Sequence, residues 1–517
     1  MRQSLAAALA VALALAACTQ VRNPATGELQ YTSLTPADEA KLGREEHPKA
    51  LREFGGKYDN ARLQAYVEKV GNRIKNVSEL SGQTFTFTVL DTDVVNAFAL
   101  PGGYIYVTRG LVALTNNEAE LAGVLGHEVG HVTARHTAQR YDQAQIGQIG
   151  AVAAQLGGAV LGGLLGGSEG ARLGGEAGGQ LGSTGAEAYV QGYSREQEFE
   201  ADQLGIRYLG RAGYDPNAMA TFLATLGADD AYRQRTQGGG TDEASYLGDW
   251  FRSHPRTPDR VARAVEATSG ELPGARETDR PALLAALDGA LYGEDPAQGV
   301  IDGTSFRHPG LRIAFEAPTG FRLQNSPEAV VGGDGRGRFM LFDMASGVRG
   351  DLRGYLQQGW VRNQRLQDLQ LVQVNEGQAA VGFGQAGVGG QPVPAMFAVV
   401  ASDNDTVFRF VFGDQRGLDR SDVATFDSSL RSLHRLSAAE AAGIRGRRVE
   451  VVPVRQGDTV DTFARQMQGI DDPRGLFVLL NGLDRGRTLQ PGDQVKIVQY
   501  SASAPPVANR ASPPRSA

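Results

Sequence analysis

The chain has 517 residues and a single cysteine, so no disulfide can form within it and its fold must hold by packing. Its length allows about three domains. With 51 Lys and Arg against 58 Asp and Glu, the net charge is −7, and no basic run marks a nucleic-acid or membrane-surface patch.

Near the N-terminus, Arg2 precedes an Ala/Leu/Val run from Leu5 to Ala17, followed by Cys18. A basic start and a short apolar core describe an export signal rather than a membrane span. Leu15-Ala16-Ala17-Cys18 resembles a bacterial lipobox. That resemblance implies a signal peptide over 1–17 and lipid on Cys18. Thr19, rather than aspartate, after the cysteine leans towards the outer membrane, on its periplasmic side. Stable anchoring there needs more than one acyl chain.

Residues 84–91 and 104–108 are β-branched and apolar and read as strands, with Pro101-Gly102-Gly103 turning the chain before the second. From Glu118 the pattern changes to a helix. Leu121, Leu125, Val129 and Val132 form one stripe at about 100° per residue, and Thr115, Asn116 and Asn117 offer caps. This helix carries His127-Glu128-Val129-Gly130-His131. Imidazoles four apart on a helix lie one above the other and can share a Zn²⁺, while Glu128 can take a proton from metal-activated water. His136 falls on the apolar stripe and reads as a core histidine or one supporting a ligand.

Residues 144–183 are rich in Gly and Ala and read as a glycine-rich helical hairpin or lid beside the cleft. At Ser194 a new helix opens, with Gln197 three residues later completing a capping box. Glu198, Asp202, Ile206 and Leu209 share one face of it. Two carboxylates on a buried face require partners. A metal bonded to Glu198 and a hydrogen bond from a ligand histidine to Asp202 would supply them. Glu196 and Glu200 suit exposed pairing with Arg195.

Three blocks, Asn96 to Gly103, His127 to His136 and Ser194 to Asp202, together resemble the HtpX/BepA-like zinc metallopeptidases of family M48, a gluzincin group. The resemblance covers roughly residues 30–270. It implies one Zn²⁺ held by His127, His131 and Glu198, with Glu128 as general base. It also implies that the strand Tyr104-Ile105-Tyr106-Val107 is the sheet edge along which an extended polypeptide adds by main-chain hydrogen bonds. His254, in Ser253-His254-Pro255, corresponds to a histidine that can approach the zinc as a fourth ligand or a transition-state donor. Arg260 is a weaker candidate for oxyanion stabilisation.

Past this core, Asp215-Pro216 opens a helix to about Leu226, and 257–267 and 281–291 also read as helices. No 34-residue helical repeat follows, a departure from the BepA layout. Residues 311–315, 338–342, 379–383, 395–400 and 406–412 read as strands, with helices over 352–364 and 420–433. This describes an α+β accessory domain over 296–440 without a catalytic constellation. Residues 452–497, within a unit of 447–499, resemble a LysM module through Gln456-Gly457-Asp458-Thr459, Leu480-Asn481-Gly482-Leu483 and Leu489-Gln490-Pro491-Gly492-Asp493. The resemblance implies a βααβ fold and peptidoglycan as a partner. Residues 500–517 read as a disordered tail.

The expected whole is an α+β protein: a mainly helical zincin-type core (18–295) with a small edge-stranded sheet, then the accessory and βααβ units. The expected function is a periplasmic, lipid-anchored endopeptidase acting on misfolded or stalled envelope proteins. Two competing readings are a non-hydrolytic assembly factor tethered to peptidoglycan and a cell-wall hydrolase.

Overall fold

The computed structural model describes residues 19–142, 192–237, 254, 260, 262–264, 266, 277–348, 350–388, 391–402 and 405–501. The apolar run and Cys18, the glycine-rich 144–183 stretch, Ser253, Pro255 and the 502–517 tail lie outside them. Among the described residues, no helix is long and apolar enough to cross a membrane.

A hairpin, β1 (Thr19–Arg22) and β2 (Leu29–Thr32), leads into helices α1 (Pro36–Glu53) and α2 (Ala61–Lys75). Three strands follow: β3 (Thr86–Leu90), β4 (Ala97–Leu100) and β5 (Tyr104–Thr108). Their order in the sheet is β3-β5-β4, with β5 parallel to β3 and antiparallel to β4. This corrects the expected edge. Tyr104, Ile105, Tyr106 and Val107 lie on the central strand, with both backbone edges paired, and β4 is the edge. The short segment 97–100 shows no alternation of its own, since all four of its residues are buried.

Helix α3 (Arg109–Leu114) leads to α4 (Glu118–Thr133), which carries the two histidines. Asn117 caps α4, its side chain accepting from the Glu120 amide at 2.8 Å. Every residue of α4 is buried, so the apolar stripe is only part of a helix sunk in the core. Helix α5 (Arg195–Ala212) begins at the Ser194/Gln197 capping box and ends at Gly213 in the left-handed conformation. Helix α6 (Ala218–Gln237) runs beyond Leu226, its exposed end supported by the Arg233–Asp229 pair at 2.8 Å. In the helix expected over 257–267, residues 260, 262–264 and 266 are described and helical. Helix α7 (Arg280–Leu287) closes this layer.

A short strand β6 (Leu291–Tyr292) then leads into the accessory region. That region contains β7 (Val300–Asp302), β8 (Ser305–His308), β9 (Ile313–Glu316), β10 (Arg322–Asn325), β11 (Val330–Gly333), β12 (Arg338–Ser346), β13 (Gln367–Val374), β14 (Gly377–Val388), β15 (Gln391–Ala401), β16 (Thr406–Asp414), α8 (Arg420–Ser432), β17 (His434–Arg435) and α9 (Ala438–Gly443). Seven strands form one antiparallel sheet, β10-β11-β12-β16-β15-β14-β13, and four form a second, β17-β9-β8-β7. Phe306, Phe315, Phe342, Phe410 and Phe426 fill the core between them and α8. The helix expected over 352–364 is shorter: a turn at Leu352–Gly354 and a wide turn at Tyr355–Trp360, where Val361 N–H donates to Leu356 O.

The chain then returns. Strand β18 (Arg447–Pro453) pairs with β6, Arg447 opposite Tyr292 and Arg448 opposite Leu291. Helices α10 (Val460–Ala464) and α11 (Pro473–Asn481) and strand β19 (Gln494–Tyr500) complete a strand–helix–helix–strand unit. Its buried residues Val449, Phe463, Phe477, Leu480, Val495 and Ile497 belong to the same apolar cluster as Leu121, Leu125 and Val129 of α4. The Lys496 ammonium is fully buried and donates to Ala113 O and Thr115 O, each at 2.8 Å. Arg280 bridges Asn116 O at 2.6 Å and Asn481 Oδ1 at 3.0 Å. These bonds hold the turn that enters α4.

Candidate metal centre

The site forms where α4 crosses α5. Close approach depends on small residues at the crossing. A side-chain carbon added at Gly205 would lie 3.0 Å from the His127 nitrogen, and one at Gly130 3.1 Å from Ala201 O. With glycine there, the carboxylates of Glu198 and Asp202 reach the imidazoles of His127 and His131.

His127 Nε2 and His131 Nε2 lie 3.0 Å apart. Glu198 sits beside both, Oε2 at 3.6 Å from His127 Nε2 and Oε1 at 3.5 Å from His131 Nε2. His254 Nδ1 lies 3.2 Å from His127 Nε2 and 2.9 Å from Glu198 Oε1. All four side chains are buried. Four donors about 2.0–2.1 Å from a tetrahedral ion stand about 3.3 Å from one another, and these separations bracket that value.

The nearest groups to each ring nitrogen point to the tautomers. His127 Nδ1 faces Asp202 Oδ1 at 2.9 Å. A carboxylate only accepts, so Nδ1 carries the hydrogen and Nε2 keeps its lone pair. His136 Nε2 lies 3.2 Å from Glu200 Oε2, and His136 Nδ1 lies 2.9 Å from His131 Nδ1. A neutral His136 that donates to Glu200 accepts from His131, and His131 Nε2 is then bare as well. Two bare nitrogens 3.0 Å apart in a buried site repel unless a cation lies between them. The donor set thus fits Zn²⁺, with His136 against the far nitrogen of His131.

Charge is balanced by Arg260. Its guanidinium bonds both oxygens of Asp202 at 2.7 Å, and Nη1 lies 2.7 Å from Glu198 Oε2. Burial alone would raise both carboxyls. For Glu198, the His254, His131 and Arg260 contacts outweigh burial and hold it well below the usual range. For Asp202, Arg260 and His127 do the same. Arg260 was the weaker oxyanion candidate. The structure instead engages it with the two carboxylates on α5, because their buried charge requires a cation.

Glu128 is fully buried, and neither carboxylate oxygen has a hydrogen-bond partner among the described residues. Burial raises its pKa, against the opposing pull of His254 and His127. A carboxylate with free lone pairs and raised basicity suits a general base. His254 Nε2 is 3.4 Å from Glu128 Oε1 and 3.4 Å from Ala97 O on β4. Thr108 N–H donates to Asn96 O, which fixes the phase of the ladder and turns the backbone groups of Ala97 and Ala99 outward. His254 therefore stands between the donor cluster and the free edge.

Two residues near the site have no motif to announce them. Tyr193 stacks on His131, centroids 3.7 Å apart at 16°, and burial pushes its phenol up to about 12. The Arg140 guanidinium carbon lies 4.1 Å from the Tyr193 centroid. Tyr193 directly precedes the Ser194 cap, a sequence cue that could have found it.

Comparisons with known proteins agree with this geometry. The family description "Peptidase family M48" matches residues 61–268. The chain is similar to a putative beta-barrel assembly-enhancing protease of Vibrio cholerae, 30% identical over 256 residues, covering 49% of each protein. It is similar to the beta-barrel assembly-enhancing protease of Yersinia pestis, 32% identical over 177 residues, 33% of this chain and 34% of that protein. It is also similar to the mitochondrial metalloendopeptidase OMA1 of Arabidopsis thaliana, 32% identical over 210 residues, 40% of this chain and 37% of that protein. The chain spans about half or less of the length of these relatives. Over residues 61–268 the chain is similar to peptidase family M48.

Proposed function

We propose that the chain is a zinc-dependent endopeptidase that cuts misfolded or stalled envelope proteins. The observation that carries this reading is the pairing of a buried four-residue donor set with an unbonded, buried Glu128 beside it. Zinc, when bound, would activate water and polarise the scissile carbonyl. Glu128 takes the proton from that water and returns it to the leaving amine. Ala97 and Ala99 offer outward main-chain groups to an extended substrate segment, a contact that makes little demand on side-chain identity. His254 occupies that approach and must withdraw for substrate to enter.

The names of the bacterial relatives, beta-barrel assembly-enhancing proteases, support an envelope role. A lipid on Cys18 would hold the enzyme at the outer membrane, facing the periplasm. The order of β18, α10, α11 and β19 supports the LysM-like reading and peptidoglycan as a partner. Palmitate labelling of the wild type and Cys18→Ser tests the anchor, and sedimentation with purified sacculi tests the partner.

The central test is Glu128→Gln. Cleavage of casein should fall by about a thousandfold or more, with zinc retained at one ion per chain. Undiminished cleavage would sink the peptidase reading. Lost cleavage with an intact envelope phenotype would favour the assembly factor instead.

A further inference from the structure

Arg140 has no assigned role and an unusual setting. It is 7% exposed, on the helical stretch that follows α4. Among the described residues, no carboxylate lies within ion-pair distance of it, and its Nη2 has no hydrogen-bond partner. A buried guanidinium with a free donor and no ion-pair partner among the described residues can take an anion. Its guanidinium carbon lies 4.1 Å from the centroid of the Tyr193 ring, and that ring lies on the metal-ligand candidate His131. The His254 ring, which closes the site, is 5.5 Å from Tyr193.

The spacing decides what Arg140 can touch. One aromatic ring separates it from His131, so it cannot reach an oxygen held between the metal donors. An extended chain advances about 3.3 Å per residue, so Arg140 lies within reach of the first or second residue beyond the bond to be cut. A neutral carbonyl at that point would leave the guanidinium charge uncompensated, whereas a carboxylate would satisfy both its charge and its free donor.

We propose that Arg140, backed by Tyr193, forms a subsite for a substrate carboxylate one or two residues from the scissile bond. This rests on the endopeptidase reading above. The carboxylate is an acidic side chain or the terminal carboxylate of a chain, and either satisfies the same guanidinium.

The test uses fluorogenic peptides with Glu or Gln at each of the two positions on either side of the cut. A second pair ends there with a free carboxylate or an amide. The full-length zinc-loaded protein should prefer the acid at one position by about tenfold or more in kcat/KM. Arg140→Gln should remove that preference and leave the Gln peptide cut at close to the wild-type rate. Arg140→Lys should restore part of it. The Glu pair and the terminal pair show which source of carboxylate is read. Equal cleavage of acid and amide by the wild type overturns the subsite, as does an equal loss on both in Arg140→Gln. Binding of the same peptides to zinc-loaded Glu128→Gln separates the two readings. Tighter binding of the acid form without cleavage by the wild type keeps the subsite and ends the peptidase reading. Cleavage without acid preference does the reverse.

Discussion

The C-terminal unit and the accessory region make opposite use of their place in the chain. Residues 447–500 follow the core only after a long interval, yet their apolar side chains lie in the same cluster as the helix bearing His127 and His131. Residues 300–443 follow the core directly, yet their apolar clusters contain no residue of it. The chain leaves at β6 and returns at β18, and those strands are paired. The accessory region is thus an insertion between two paired strands, and the C-terminal unit is a wall of the domain that carries the donor cluster. Adjacency in sequence is a poor guide to which parts share a core.

The sharpest way to break this contrast is deletion. Removing residues 446–501 should abolish soluble, cooperatively folding protein. Several fully buried side chains go with them, each contributing about 1.5–3 kcal/mol, which together exceed a typical total stability. Replacing 303–443 by a short Gly/Ser linker should leave a folded core that still binds zinc, because paired strands lie only about 5 Å apart. Circular dichroism and metal analysis read both. If the truncated chain folds and the excised one does not, the assignment is reversed. Next in size is Lys496→Met. It strips two buried carbonyls of a charged donor and should cost about 3 kcal/mol, seen as a lower Tm of the core with the accessory transition unmoved.

The accessory region should have its own response to acid. Leu311 N–H donates to His308 Nδ1 at 3.2 Å, and burial lowers the ring from 6.5 to about 4. A depressed histidine resists protonation in the fold. Its stabilising effect is therefore complete above pH 6.5 and is lost as pH falls towards about 4. The loss is up to about 3 kcal/mol, less what solvent screens at the part-exposed ring. His308→Gln should flatten that limb, and differential scanning calorimetry across the window checks it. The smallest effect belongs to the helix crossing. Gly205→Ala should push α5 from His127 and weaken zinc binding by about tenfold, or about 1.4 kcal/mol. Isothermal titration with zinc reads it, and unchanged affinity would show that the helices have room to give.

The chemistry was the most legible part of the chain. Helical spacing alone faces His127 with His131, and a capping box with two inward carboxylates points to Glu198 and Asp202. The glycines that bring those helices together were not legible, because a glycine on a helix leaves no pattern until its neighbour is known. Arg260 was open to an oxyanion role because the carboxylates that engage it lie on another helix, at Glu198 and Asp202. The edge strand was misplaced for a related reason. Sequence shows that Tyr104 to Val107 is a strand, but its parallel pairing with Thr86 to Leu90 is decided by topology. In the accessory region the long strands β12, β14, β15 and β16 were visible through their alternation. The four-residue strands β10 and β11 carry too few apolar residues to stand out.

Lys496 hydrogen-bonds Ala113 across 383 positions of sequence. A ribosome adding about 5–20 residues per second needs roughly 20–80 s to cover that interval. During that time the emerging histidine pair has no floor beneath it. The helix bearing the histidine pair therefore gains its last support only when the final strand has emerged.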